Sequence, residues 1–320
     1  MSESTTAAET ASIDLAEIER VLRDGEPEAQ PIQGDLFTVM SVIGDWPVKD
    51  DMASMEHPFY ALSKTPEKRI REYSRGGRTL KIIPSVVGAP TIFDKDLMIY
   101  LISMVMRARN DGKPVSRRIR LHVTPFLKET RRSTGGASYV RVVEMCRRLA
   151  GVRIETNINT TEHEQTDGFG LLSEFKVVQK GKNEKGALVL EVLLSEWIWR
   201  AISDFAVLTL NNAYFGITQA LERRVYELAR KHCGKQGWWV VSLELLREKV
   251  GSEQSARKWK QEVKAMVAKH DLPDYRIFLD ESVKPNQVVI LSRNHETLME
   301  QAEKAGKVKW IEQVLQMRLH

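Results

Sequence analysis

Cysteine is nearly absent: Cys146 and Cys233 are the only two in 320 residues, and neither lies in a Cys-x-x-Cys or Cys/His cluster. A disulfide scaffold or a structural zinc site is therefore not expected. Aromatics are dilute at 7%. Trp197, Trp199, Trp238, Trp239 and Trp310 are spaced as core fillers, which argues against a platform that stacks single-stranded bases. The longest apolar run, Leu97 to Met106, is about half the roughly 20 residues a membrane-spanning helix needs. The first residues lack the basic and apolar regions of a secretory signal, so a cytoplasmic protein is expected.

Catalytic signatures are missing as well. No G-x-x-x-x-G-K-[ST] loop is present to cradle a nucleotide triphosphate. The seven histidines never form the His-apolar-His pair that a metal-dependent nicking enzyme would use. Glu162-His163-Glu164 is the only carboxylate/histidine knot, and it falls in a polar loop that reads as solvated. No catalytic residue, metal ligand or cofactor is assigned.

What is present is positive charge, unevenly distributed. Residues 1 to 60 hold three basic side chains against 13 acidic ones, whereas the remaining 260 hold 45 against 30. So basic a body favours a polyanionic partner, because neutralising phosphates releases condensed counterions. The acidic segment 1–58 is poor in aromatics and broken by Gly25, Pro27, Pro31 and Gly34, and reads as a mobile, largely disordered arm.

Beyond the arm the hydrophobic pattern predicts an α+β chain with one architecture used twice. A hairpin about Gly76-Gly77 precedes a long helix, Asp94 to Arg109, with Leu97, Leu101, Met104 and Val105 on one face. Strand Arg118 to Val123 follows, then a short helix opened by Thr124-Pro125, a Gly135-Gly136 turn, helix Ala137 to Ala150, strand Val152 to Asn157, polar loop 160–168 and strand Gly170 to Gln179. The order recurs as helix Ile217 to His232, strand Trp238 to Val241, helix Leu243 to Val250, helix Ser255 to Lys269 and a hairpin turning at Asp280 to Asn286. Helix, strand, two helices and a hairpin is the winged-helix plan, whose third helix enters the major groove. The expected organisation is an arm at 1–58, winged-helix domains at 59–185 and 186–294, and a C-terminal helical tail at 295–320 interrupted at Gly306.

The two third helices carry the candidate DNA-binding residues. In the helix from Ser255, Trp259, Val263, Met266 and Val267 form an apolar face, opposite Arg257, Gln261 and Lys264 and flanked by Lys258 and Lys260. Arginine can pair with guanine O6/N7 and glutamine with adenine N6/N7, so Arg257 and Gln261 suit base edges while the lysines suit phosphates. The helix from Ala137 offers Arg141, Arg147 and Arg148 outward, mixed with Val140 and Glu144. Ser138 and Tyr139 at its start are placed to donate to phosphates, and Lys128, Arg131 and Arg132 make the preceding turn basic. Arg117, Arg118 and Arg120 form a further basic cluster without an assigned groove.

The segment FYALSKTPEKRIREYSRGGRTLKIIPSVVGAPTIFDKDLMIYLIS (Phe59 to Ser103) resembles the opening of the replication initiator protein A family of plasmids. Its phrases REY, PSV and IFDKDLMIYLIS occur here in family order, and the resemblance runs from about Phe59 to Asn294. It implies a protein that binds direct repeats (iterons) of double-stranded origin DNA, helps melt adjacent AT-rich DNA and recruits host replication proteins such as the replicative helicase, without a cofactor. It further implies monomers on the iterons and homodimers that dampen replication or repress the protein's own gene. A dimeric winged-helix transcription repressor would use the same surfaces, and a nicking enzyme is the third reading.

Overall fold

The computed structural model describes residues 38–39, 47–157, 166–179, 188–204, 206–269 and 272–317. Strands β1 (Thr38–Val39) and β2 (Val48–Asp51) precede a short helix, α1 (Met52–Glu56). Asp51 caps α1 by accepting the Ser54 N–H at 2.7 Å. The expected hairpin, β3 (Arg71–Arg75) and β4 (Arg78–Ile83), turns through Gly76 and Gly77, both at positive φ. Helix α2 (Lys95–Asn110) follows and is buried on nearly every side, well beyond the single stripe the periodicity predicted.

From α2 onward the chain builds a first module from β5 (Arg118–His122), α3 (Val123–Glu129) and α4 (Gly136–Gly151). Helix α3 starts at Val123 rather than after a Thr124 cap, and the Thr124 hydroxyl bonds that of Tyr139 at 2.8 Å. Strands β6 (Arg153–Thr156) and β7 (Asp167–Phe169) then leave the module and extend the hairpin into a sheet ordered β3-β4-β6-β7. The module's own hairpin comes later, from β8 (Leu172–Gln179) and β9 (Leu188–Leu194), which lie beside β5 in the order β1-β5-β9-β8.

Two sequence expectations are corrected here. The strand after α4 is not one arm of a wing, because Ile154 pairs with Ile82 of β4 instead of with β8. A domain boundary at 185/186 would cut between strands that pair from Leu172 with Leu194 to Gln179 with Leu188, so the first module extends through β9. Glu162-His163-Glu164 lies outside the described residues.

Helix α5 (Glu196–Ser203) and strand β10 (Val207–Leu210) connect to a second module of α6 (Ala220–Cys233), β11 (Trp238–Ser242), α7 (Leu243–Val250), α8 (Ala256–Lys269), β12 (Tyr275–Asp280) and β13 (Gln287–Ser292). Its sheet runs β11-β13-β12, so the last strand pairs with the first, as β9 pairs with β5. The two modules thus share both element order and strand connectivity. Helices α9 (His295–Lys304) and α10 (Val308–Gln316), separated at Gly306, pack Leu298, Ala302, Ile311 and Val314 against Trp238, Phe278, Val289 and Leu291 on the back of this sheet. They complete the second module instead of trailing from it.

The described residues 47–58 of the expected arm are structured and packed against the rest of the chain, a correction to the reading of 1–58 as a disordered arm. Strand β2 pairs antiparallel with β10, while Val48 and Met55 enter the core of the second module. The cause is electrostatic as much as hydrophobic. Arg224 of α6, buried to 1% exposure, donates to the carbonyls of Ser54, Met55 and Glu56 at the end of α1 and of Lys249 in α7, at 2.8–2.9 Å. Helix C-termini leave such carbonyls without intrahelical donors, and one guanidinium satisfies two helix ends. Gly251 ends α7 at φ 77°, and a β-carbon there would lie 2.7 Å from that of Pro58. Only glycine permits both the left-handed turn and this approach.

Candidate nucleic-acid interface

Helix α8 holds its position through Trp259, Val263 and Met266, all buried, and Trp259 Nε1 donates to the Leu243 carbonyl at 2.8 Å. Arg257, Lys258, Gln261 and Lys264 are exposed on the opposite side, as the periodicity predicted, and Lys260 is partly exposed. The adjoining β12–β13 turn adds a feature the sequence did not reveal. Glu281 pairs with Lys260 at 2.6 Å and Lys264 at 2.7 Å. Hydrogen bonds from these two ammonium groups pull its carboxyl down to about 2. The third helix and the tip of the hairpin are therefore bridged by charge at the surface.

Helix α4 is anchored by Ser138, Val142, Met145, Cys146 and Leu149. Arg141 and Arg147 are exposed, as are Lys128 at the end of α3 and Arg131, which adopts a positive φ of 57°. Arg148 is different. Its guanidinium grips both oxygens of Asp94 at 2.8 Å, which makes it an internal anchor instead of a DNA-reading side chain. Arg132 is likewise engaged, donating to Asp96 and to the Phe93 carbonyl, each at 2.7 Å. Ser138 is buried and bonds Ser133 at 2.7 Å, and Tyr139 is half-buried on Thr124, so neither side chain reaches out to a phosphate. The Arg117, Arg118 and Arg120 cluster is matched by Glu196, Glu174 and Glu191 respectively.

The structure assigns a different role to the head of α2. Asp94-Lys95-Asp96 opens an otherwise apolar helix, and that insertion of three charges was the visible signal of a tertiary site. Asp94 holds Arg148 of α4. Asp96 holds Arg132, just before α4, with one oxygen and Arg223 of α6 with the other, the latter at 2.5 Å. Lys95 is wholly buried and lies 2.7 Å from Asp50 and 2.9 Å from Glu227. Glu227 also accepts from Tyr214 at 2.6 Å and pairs with Arg224 at 3.1 Å. Burial alone would drive Lys95 down, but Asp50 and Glu227 carry it above its ordinary value and keep it charged. Three successive side chains thereby tie the third helix of the first module to the opening helix of the second.

The contact continues at the surface, where a β-carbon on Gly216 would lie 2.6 Å from Arg131 Nη1. Glu56, from the supposed arm, pairs with Lys231 on α6 and Lys249 on α7, and its carboxylate lies 2.9 Å from His232 Nε2. Burial opposes its ionisation, but hydrogen bonds from His232 and Lys249 hold it far below the usual carboxylate range. Among the described residues, no cluster of His, Cys, Asp and Glu has the form of a metal site, and no helix is long and apolar enough to cross a membrane.

Residues 49–277 match the family described as Replication initiator protein A. A protein of Wigglesworthia glossinidia brevipalpis, provisionally described as a replication protein, is 35% identical over 231 residues, covering 72% of this chain and 84% of its own. Two crystal structures of domains 2 and 3 of RctB share the fold at 12% identity. One has a TM-score of 0.56 with 73% of this chain and 94% of that one covered, and the other has 0.51 with 75% and 97%. The chain belongs to the replication initiator protein A family.

Proposed function

We propose that this chain starts plasmid replication by binding directly repeated origin DNA through two winged-helix modules, with α4 and α8 as the reading helices. The observation that carries this reading is the repeated order of helix, strand, two helices and a hairpin, each third helix presenting a basic face to solvent. In that plan the third helix lies in the major groove and the hairpin lies beside the backbone. The hairpin turn of the second module is 281–286, and that of the first falls in 180–187, outside the described residues.

The binding set is narrower than the sequence suggested. Arg257, Lys258, Gln261, Lys264 and Lys260 on α8, with Lys128, Arg131, Arg141 and Arg147 in the first module, face outward or partly so. Phosphate contacts supply much of the affinity, and Arg257 and Gln261 supply base recognition. Melting of adjacent AT-rich DNA, recruitment of host replication proteins and a dimeric regulatory form belong to the same proposal, which involves no cofactor and no cleavage chemistry and operates in the cytoplasm.

Footprinting of the full chain on its plasmid origin, paired with a maintenance test in which the gene alone supports an origin fragment, tests it. Regularly spaced direct repeats and gene-dependent maintenance are expected. A single protected palindrome with no maintenance would instead identify a dimeric repressor. Nicking of supercoiled origin DNA with magnesium or manganese would reject a non-enzymatic initiator.

A further inference from the structure

Helices α4 and α8 can be laid on one another by their buried side chains. Ser138, Val142 and Met145 are spaced by four and then three residues, as are Trp259, Val263 and Met266. In this register Tyr139 matches Lys260, both partly exposed, and Val140 matches Gln261, both exposed. The exposed stripe of α4 runs Ala137, Val140, Arg141, Glu144 and Arg147, so Val140 stands near the start of the helix, between Ala137 and the charged Arg141 and Glu144. It is 60% exposed, an unusual place for a β-branched apolar residue with modest helix propensity.

Helix packing does not account for a valine here, because its side chain fills no core and the exposed positions that follow it, Arg141, Glu144 and Arg147, are charged. We propose that Val140 is a base-reading position that packs against the 5-methyl group of a thymine in the major groove. The assignment rests on the reading of α4 and α8 as recognition helices. At the matching position Gln261 has the amide suited to adenine, whereas an apolar side chain suits the thymine methyl. The two modules would then read A·T pairs from equivalent positions by opposite means, one through hydrogen bonds and the other through a methyl contact. Arg141, one residue on, supplies a cation for the flanking phosphate or base and cannot itself sense a methyl group.

The test uses the full-length chain and the consensus duplex that it enriches from a randomised duplex pool. Each thymine is replaced singly by deoxyuridine, which deletes one methyl and leaves every hydrogen-bonding group in place. With the wild-type chain, one substitution should weaken binding about fourfold, the worth of one buried methyl group. With Val140→Ala the same substitution should have no effect, while the melting temperature stays unchanged because the side chain is exposed. If the chain enriches a consensus but the uridine scan is identical for wild type and V140A, Val140 is not a reader and the inference falls alone. If no sequence is enriched, the DNA-reading assignment of both helices falls with it.

Discussion

Lys95 Nζ lies 2.9 Å from Glu227 Oε2, and both side chains are completely removed from water. One residue opens the central helix of the first module and the other lies midway along the opening helix of the second. Removing one member of a buried pair typically costs about 3–5 kcal/mol because the other charge is stranded. Lys95→Met should therefore lower stability by about that amount in urea unfolding of the full chain. A loss indistinguishable from that of an exposed lysine would show that the pair holds nothing together.

Arg148 and Arg141 sit two turns apart on α4 but should fail differently. Arg148→Ala strands the buried Asp94 carboxylate and should cost about 1.5–3 kcal/mol of stability, the worth of hydrogen bonds to a charged group. Arg141→Ala should leave the melting temperature unchanged and reduce the salt slope of DNA binding by about one. Calorimetric melting and a salt titration on the same two variants separate the roles. The assignment fails if R148A melts as wild type does.

Glu281 occupies two lysines that would otherwise face a phosphate chain. Glu281→Gln should raise affinity for matched and scrambled duplex alike and steepen the salt dependence by about 0.9 for each phosphate newly neutralised. Arg257→Ala should act selectively, costing about 1–3 kcal/mol at one base position if it reads that base. Gel shifts on the two duplexes distinguish a general from a selective change.

His57 predicts a pH dependence. Burial, then the positive charges of Lys231, Arg224 and Arg78, push its imidazole down to about 4 despite the opposing pull of Glu56. The unfolded chain takes up the proton at about 6.5. Stability from this group is therefore complete above about 6.5 and is lost as pH falls toward about 4, where the unfolded state binds more protons than the native one. Thermal melting across this window should decline in the wild type and flatten in His57→Gln. Parallel curves for the two proteins would assign the decline to other groups.

The sequence revealed what depends on local periodicity and little of what depends on distant pairing. Helices α4 and α8 were readable because their buried residues recur every three or four positions, and the second-module hairpin because nothing intervenes between α8 and β12. The first hairpin was misplaced because Arg153–Thr156 alternates like a wing strand, and only its pairing with β4, some 70 residues earlier in the chain, decides otherwise. Arg148 and Arg132 looked outward for a similar reason: Asp94 and Asp96 are far from them in sequence. Residues 47–58 resembled the acidic arm before them, and only the folded chain brings Lys95 of α2 to Asp50, and Lys231 of α6 and Lys249 of α7 to Glu56.

The shared carboxylate of Asp96 has a consequence for how DNA would be measured. With one oxygen on Arg132 just before α4 and the other on Arg223 of α6, it joins the two modules, and on the proposed reading it would keep α4 and α8 from swivelling independently on the duplex. Such a protein would act as a gauge of fixed pitch. It would reject a site whose two halves were shifted by half a helical turn as firmly as one with the wrong bases, so origin spacing becomes information in its own right.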